Sequence, residues 1–173
     1  MAYNPNIHHR RSVRLQGYDY SQAGLYFITI CCDRRLCRFG NIENGEMKLN
    51  EFGKIAFDAW TKTPQLRPNV ALGEFVIMPN HIHGIIYLLH SPDNNKGECN
   101  SPLLRGPSQT IGAIVRGYKS SVTKQLGIMG FDEKLWQRNY YEHIIRNEQS
   151  YNNISKYIIN NPAKWQEDKF YIN

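Results

Sequence analysis

The sequence predicts an α+β protein with a ferredoxin-like antiparallel sheet, helices packed on one face of that sheet and an extra C-terminal helix. The first observation is the order of the predicted elements: strand, helix, strand, strand, helix, strand, helix. The second is size, because 173 residues with 41% hydrophobic content suffice for one compact domain with its own core. We therefore expect a basic N-terminal arm over residues 1–22 and a single domain over residues 23–173.

The first half of the domain contains a strand, a hairpin and a helix. Residues 25–32 are β-branched and aromatic in a run too short for a convincing helix, which predicts a central strand. The dipeptide Asn44-Gly45 favours a hairpin turn, with a minor strand beyond it at residues 47–49. From Glu51 to about Leu66 apolar residues recur at helical intervals, which predicts an amphipathic helix.

The middle of the chain predicts two strands joined by a tight turn. Residues 75–78 form the first of them, and Pro79-Asn80 turns the chain. Residues 81–89 return as the next strand. Residues 91–107 are rich in Pro, Asp, Asn, Gly and Ser, which is typical of a loop.

The last part of the chain predicts a helix, a strand and a second helix. An apolar stripe predicts the first helix from Thr110 to about Leu126, and residues 140–145 predict the strand. Asn147 is suited to cap a helix over residues 148–160. That helix should end at Pro162, which cannot continue the backbone hydrogen bonds and disfavours helical geometry in the residue before it.

His81 and His83 lie one residue apart at the start of the third predicted strand. Side chains alternate along a strand, so the two imidazoles share a face with their bases roughly 6–7 Å apart. Such a pair can hold one divalent ion if a third ligand approaches from another element. Taken alone, a His-x-His pair is more often a packing or surface feature than a metal site.

Tyr157 and Asn161 lie four residues apart on the final helix, so their side chains share a face one turn apart. A tyrosine nucleophile followed by an amide oxygen ligand would explain the pair, with Asn161 as the third ligand beside the two histidines. Two imidazoles and an oxygen with open positions suit Mg²⁺ or Mn²⁺. From the residues alone, Asn161 is equally well explained as a helix-terminal residue before proline.

Composition favours a basic cytoplasmic protein over a secreted or membrane protein. Lys and Arg outnumber Asp and Glu by 21 to 15, which moderately favours a polyanionic partner. The four cysteines have no C-x-x-C spacing, which predicts free thiols in a reducing compartment. A signal peptide and an apolar run of about 18 residues are both missing, so we expect a cytoplasmic protein without a membrane partner.

Several segments carry a resemblance to a known family. His81-Ile82-His83 resembles the His-hydrophobe-His motif of the HUH single-stranded-DNA nucleases. Residues 157–162 (YIINNP) resemble the catalytic-helix motif of the REP-associated tyrosine transposases, which are relatives of the single-tyrosine insertion-sequence transposases. Residues 111–120 and 136–143 also resemble their segments, so the likeness extends from about Arg10 to Trp165.

The resemblance implies a function for the chain. Tyr157 would be the nucleophile, and His81, His83 and Asn161 the ligands of a divalent metal, although the insertion-sequence enzymes usually carry Gln where this chain has Asn161. The partner would be single-stranded DNA folded as hairpins, the repetitive palindromic elements. Cleavage beside a hairpin would pass through a 5′-phosphotyrosine intermediate. Insertion-sequence members work as dimers that exchange catalytic helices, and the sequence leaves open whether this chain forms such a homodimer.

Further residues are candidates for DNA contact. The basic side chains are expected at phosphates; they are Arg10, Arg14, Arg116 and Lys119. Trp136 and Gln137 could stack on and hydrogen-bond to bases, although burial in the core is the stronger expectation for the tryptophan.

Two other functions are compatible with the predicted fold. One is a non-catalytic nucleic-acid-binding module, because RNA-recognition (RRM-like) domains share the sheet topology and stack bases on strand aromatics. Tyr26 and Phe27 are adjacent, however, so only one of them can face outward, and no RNP-like run is present. The other is a DNA-binding repressor descended from such an enzyme.

Overall fold

The computed structural model describes residues 22–89 and 110–171. Apart from Gln22, the residues of the expected arm (1–22) lie outside these ranges, as does the expected loop at residues 91–107. Over the two ranges no helix is both long enough and apolar enough to cross a membrane.

The chain begins with strand β1 (Gly24–Cys31), followed by a hairpin of β2 (Gly40–Glu43) and β3 (Glu46–Leu49). Helix α1 (Glu51–Thr61) and the single turn α2 (Thr63–Leu66) lead into β4 (Val70–Ile77) and β5 (His81–Leu88). Helix α3 (Ile111–Ile128), β6 (Tyr141–Ile145) and α4 (Glu148–Asn160) complete the set. A 3₁₀ segment, Pro162–Glu167, follows α4.

The main sheet has four antiparallel strands in the order β4-β5-β1-β6. The first and third of these strands in sequence, β1 and β5, are therefore the two central ones, which is the ferredoxin-like arrangement, and the predicted fold class is confirmed. The register pairs Cys31 with His81 at one end of β1 and Gly24 with Leu88 at the other. The hairpin of β2 and β3 forms a separate two-stranded sheet.

The two faces of the main sheet carry different helices because side chains alternate along each strand. Tyr26, Ile28 and Ile30 are fully buried on the face that packs against α1 and α3. Phe27 points to the opposite face, where it joins Ile158 of α4. The helices of the ferredoxin-like core therefore share one face, and the extra C-terminal helix covers the other.

Turn and cap signals in the sequence position these elements. Asn44 and Gly45 both adopt positive φ, at 52° and 78°, as a two-residue hairpin turn of this hand requires. Asn147 caps α4, with its side-chain oxygen accepting a hydrogen bond from the Ser150 amide. The predicted start of α4 is therefore confirmed.

Three boundaries differ from expectation. The helix predicted over residues 51–66 is interrupted at Lys62, because Pro64 has no N–H to continue the hydrogen bonds of α1. Strand β4 begins at Val70 rather than near Phe75, and an irregularity between Leu72 and Phe75 breaks its pattern. Asn161 stays helical at φ −58° and ψ −42° despite the following proline, and the chain continues into the 3₁₀ segment.

Candidate active site

His81 and His83 lie on the α4 face of the central strand β5, with 0% and 1% of their surfaces exposed. Their ring centroids are 4.4 Å apart. The strand begins directly after the Pro79-Asn80 turn, and its register sets His83 opposite Thr29. Both imidazoles are thus held side by side in a buried position.

Asn80 fixes the orientation of His81. The Asn80 amide nitrogen donates to the carbonyl oxygens of Arg35, at 3.0 Å, and Phe170, at 2.8 Å. The amide oxygen of Asn80 therefore faces His81 Nδ1, at 2.8 Å, and that nitrogen must carry the proton. His81 Nε2 is left with its lone pair and has no hydrogen-bond partner within residues 22–89 and 110–171. Burial lowers the pKa of His81 to about 4, so the ring is neutral near pH 7.

His83 contacts both a hydroxyl on β1 and the tyrosine on α4. Its Nδ1 lies 2.8 Å from Thr29 Oγ1, and its Nε2 lies 3.1 Å from the Tyr157 hydroxyl. The Phe27 ring stacks against the imidazole with centroids 5.2 Å apart. Burial, and secondarily the neighbouring His81, holds the pKa of His83 well below its usual range.

Tyr157 is 40% exposed, so its ring is accessible from solvent while its hydroxyl faces the histidines. The hydroxyl donates to Asp168 Oδ2 at 3.1 Å. Burial, and then the nearby Asp168 carboxylate, raises the pKa of Tyr157 above its ordinary value. The phenol is therefore protonated at neutral pH in the arrangement described.

Asn161 lies one turn beyond Tyr157 and is 2% exposed. Its amide nitrogen donates to Asp168 Oδ2 at 2.6 Å. The amide oxygen is buried and has no hydrogen-bond partner in the described part of the chain. A buried oxygen without a donor is costly unless something else satisfies it.

Asp168 is a site residue that the sequence did not reveal. Ligand atoms of His81, His83 and Asp168 all lie within 4.8 Å of one another. The Phe170 amide fixes the Asp168 carboxylate by donating to its Oδ1 at 2.7 Å. The carboxylate arrives only because the chain folds back after α4, and neither spacing nor periodicity indicates that reversal.

The donor set fits a divalent cation. Among the residues that the structure describes, no donor reaches the buried acceptors His81 Nε2 and Asn161 Oδ1, and Asp168 adds a negative charge beside them. Two imidazole nitrogens with carboxylate and amide oxygens suit Mn²⁺ or Mg²⁺. This group of residues could therefore hold a metal ion next to the Tyr157 hydroxyl.

The expected base contact of Trp136 is corrected by the structure. The ring is 7% exposed and packs in the main core, with Phe39 and Tyr118 as its aromatic neighbours. Its indole nitrogen donates to the Lys119 carbonyl at 3.1 Å. Core packing therefore occupies the surface that stacking on a base would need.

The other predicted DNA contacts are not brought to the histidine pair. Lys119 donates to the carbonyls of Gln137 and Asn139, and burial lowers the pKa of its ammonium to about 8. The backbone N–H of Gln137 donates to the Cys31 carbonyl, and the residue is half-buried. Arg116 is exposed on α3, on the opposite face of the sheet. The predictions for Arg10 and Arg14 lie outside the described residues.

Two Haemophilus influenzae proteins are similar to the chain in sequence. The chain is 48% identical over 178 residues to an uncharacterized Haemophilus influenzae protein, covering 98% of this chain and 97% of the relative. It is 27% identical over 146 residues to another Haemophilus influenzae protein, assigned to the REP-associated tyrosine transposases, covering 84% of this chain and 74% of that one. No protein-family model matches the chain.

A solved structure shares the fold. It is a REP-associated tyrosine transposase bound to a REP hairpin, with a TM-score of 0.63 and 23% sequence identity. The match covers 91% of this chain and 77% of that chain. The chain is thus similar to REP-associated tyrosine transposases, in sequence to one relative and in fold to the solved structure.

Proposed function

We propose that the protein is a metal-dependent tyrosine nuclease and strand transferase that cleaves and rejoins single-stranded DNA at hairpin sequences. The observation that carries the proposal is the 3.1 Å contact between the Tyr157 hydroxyl and His83 Nε2. Beside it lie two buried ligand atoms, His81 Nε2 and Asn161 Oδ1, that have no hydrogen-bond partner in the described ranges. The hairpin bound to the structural relative supports the choice of substrate, here single-stranded hairpins from repetitive palindromic elements.

We infer that His81, His83 and Asn161 hold Mg²⁺ or Mn²⁺, with Asp168 close enough to add an oxygen. A bound cation would neutralise the oxygens of the scissile phosphate, whose negative charge otherwise repels a nucleophile. Asn80 and Thr29 orient the two imidazoles from behind, through the hydrogen bonds to their Nδ1 atoms.

Tyr157 supplies the nucleophilic oxygen in this mechanism. As that oxygen forms a bond to phosphorus, the bond from phosphorus to the O3′ atom breaks, and the departing O3′ takes up a proton from solvent water. The phenol proton passes to the Asp168 carboxylate, which already accepts its hydrogen bond at 3.1 Å. The product is a 5′-phosphotyrosine and a free 3′-hydroxyl. The adduct keeps the energy of the cleaved bond, so the reverse step can join strands without ATP.

The contact between Tyr157 and His83 is made within one chain. Tyr157 on α4 reaches His83 on β5 of the same molecule, so delivery of the tyrosine by a partner subunit is not needed for the contact. A homodimer therefore stays a separate prediction, to be tested by the oligomeric state in solution.

The alternative of a non-catalytic RRM-like module is less well supported. Helix α4 covers the face on which bases would stack over the central strands of the sheet, where Phe27 is only 9% exposed. A DNA-binding repressor descended from the enzyme would keep the same residues and bind the same hairpins, but would form no covalent adduct.

Covalent trapping tests the proposal. Wild-type protein incubated with a labelled hairpin oligonucleotide and Mn²⁺ should give an adduct that survives denaturing electrophoresis. Tyr157→Phe should abolish the adduct, because the substitution removes only the hydroxyl. Tyr151→Phe is the matched control, since Tyr151 lies on the same helix and packs against the apolar cluster under it. An adduct that persists in Tyr157→Phe would show that the nucleophile is misassigned.

A further inference from the structure

A groove lies on the α4 face of the sheet, between β6 and the first half of α4. Phe27, Tyr141, His143, Asn147 and Asn153 contribute to its walls. Its volume is about 460 Å³, within the range of clefts that bind small molecules. The groove is thus large enough for part of a nucleotide.

Tyr141 is the exposed aromatic of this groove. It lies on β6, the outermost strand of the sheet, and 48% of its surface is exposed. The neighbouring Tyr140 points the other way and packs against the main core. The Tyr141 ring meets the edge of Phe27, at 6.4 Å between centroids, and with nearly half of its surface exposed it is not held by core packing.

The groove is adjacent to the candidate nucleophile. Phe27 contacts the Tyr141 ring at 6.4 Å and the Tyr157 ring at 6.2 Å, so one aromatic ring separates the two tyrosines. Asn153 lines both this groove and the cleft in which Tyr157 is exposed. A strand with its scissile phosphate at Tyr157 would therefore have this groove directly beside it.

A positive charge accompanies the exposed ring. The Lys169 ammonium lies 5.8 Å from the centroid of Tyr141 and 4.9 Å from that of Phe170. An aromatic face beside a cation is the combination that sequence-tolerant single-strand binding uses, with the base on the ring and the phosphate at the charge. A double helix keeps its base faces stacked and could not present one to Tyr141.

We propose that this groove binds the single-stranded DNA next to the cleavage point, with one base stacked on Tyr141 and a phosphate at Lys169. The inference rests on the proposed function and adds to it a binding subsite for the strand that flanks the hairpin. It requires that the flanking strand contribute affinity independently of the hairpin stem.

The test compares DNA binding by Tyr141→Ala, Tyr141→Phe and the wild type, measured by fluorescence anisotropy in EDTA so that no cleavage occurs. The probes are a blunt hairpin and the same hairpin with a single-stranded extension at its 5′ or its 3′ end. Loss of one stacked base should weaken binding of one extended hairpin by about tenfold or more. Binding of the blunt hairpin should not change, and Tyr141→Phe should behave as wild type.

Phe57→Ala is the control for loss of an exposed aromatic, because Phe57 is 41% exposed on α1, behind the sheet. Lys169→Ala should reduce the slope of log K against log salt by about 0.7, as expected for one lost phosphate contact to a single strand. Equal binding of blunt and extended hairpins by the wild type would overturn the inference, as would a Tyr141→Ala defect of equal size on both. Failure of the proposed function would instead appear as a missing covalent adduct, whatever the anisotropy result.

Discussion

Asn80 offers the most informative single substitution in the site. Its side chain is 1% exposed and makes three hydrogen bonds, to the carbonyls of Arg35 and Phe170 and to Nδ1 of His81. Asn80→Ala removes all three at once. At about 0.5–1.5 kcal/mol each, their loss should lower the free energy of unfolding by about 2–4 kcal/mol.

The same substitution should weaken metal binding. Without Asn80 Oδ1, His81 Nδ1 loses the acceptor that selects the tautomer with a lone pair on Nε2. Loss of such an orienting partner typically costs tenfold to hundredfold in metal affinity. Isothermal titration with Mn²⁺ measures the affinity, and urea denaturation monitored by circular dichroism measures the stability.

Asn80→Asp separates the two effects. It keeps an oxygen for His81 Nδ1 but replaces the amide donor, so stability should fall while Mn²⁺ affinity stays within a few-fold of wild type. Asn152→Ala, on the exposed side of α4, controls for loss of an asparagine side chain. A folded Asn80→Ala protein that binds Mn²⁺ as tightly as wild type would refute the orienting role.

Three more predictions follow from the structure. Asp168→Asn should slow adduct formation at least a hundredfold, because the carboxylate takes the phenol proton. Titration of the variant with Mn²⁺ tells whether Asp168 is also a metal ligand. A wild-type rate of adduct formation together with wild-type Mn²⁺ affinity would contradict both roles. Gly84→Ala should lower the melting temperature, because the new Cβ would lie 2.4 Å from the Trp60 ring, and an unchanged melting temperature would be evidence against this packing. Burial lowers the pKa of Lys119 in the folded protein to about 8, from an ordinary 10.5. Between pH 8 and pH 10.5 the unfolded chain therefore binds more protons than the folded one, and the free energy of unfolding should rise with pH. Lys119→Met should remove that rise, which urea denaturation at several pH values measures. If the stability of the variant depends on pH as that of the wild type does, Lys119 is not its source.

Much of the fold could be predicted because local signals determine it. The alternation of β5 puts His81 and His83 on one face whatever surrounds them, and Asn147 caps α4 through its own side chain. The start of β4 was missed because Gly73 and Glu74 interrupt its apolar pattern at an irregular pairing. Only the pairing with β5 in the folded chain shows that the residues on both sides of this interruption belong to one strand.

The site was predicted less completely than the fold. Tyr157 and His83 were paired from the sequence, and the structure brings them together. Asp168 joins them through a chain reversal after Pro162 that depends on tertiary contacts, since the carbonyl of Phe170 is held by Asn80 about 90 residues earlier. The burial of Trp136 likewise depends on Phe39, far away in sequence. Contacts between distant segments leave no periodic trace.

The hydroxyl of Thr29 gives His83 two equivalent states. A hydroxyl can donate or accept, so the hydrogen bond to Nδ1 survives when the imidazole proton moves from one ring nitrogen to the other. With the proton on Nε2, the ring donates to the Tyr157 oxygen; with it on Nδ1, the Nε2 lone pair is available to a cation. Moving one proton between the two ring nitrogens of His83 therefore switches the site from a form that bonds to Tyr157 to a form that can bind a cation. The positions of the heavy atoms need not change.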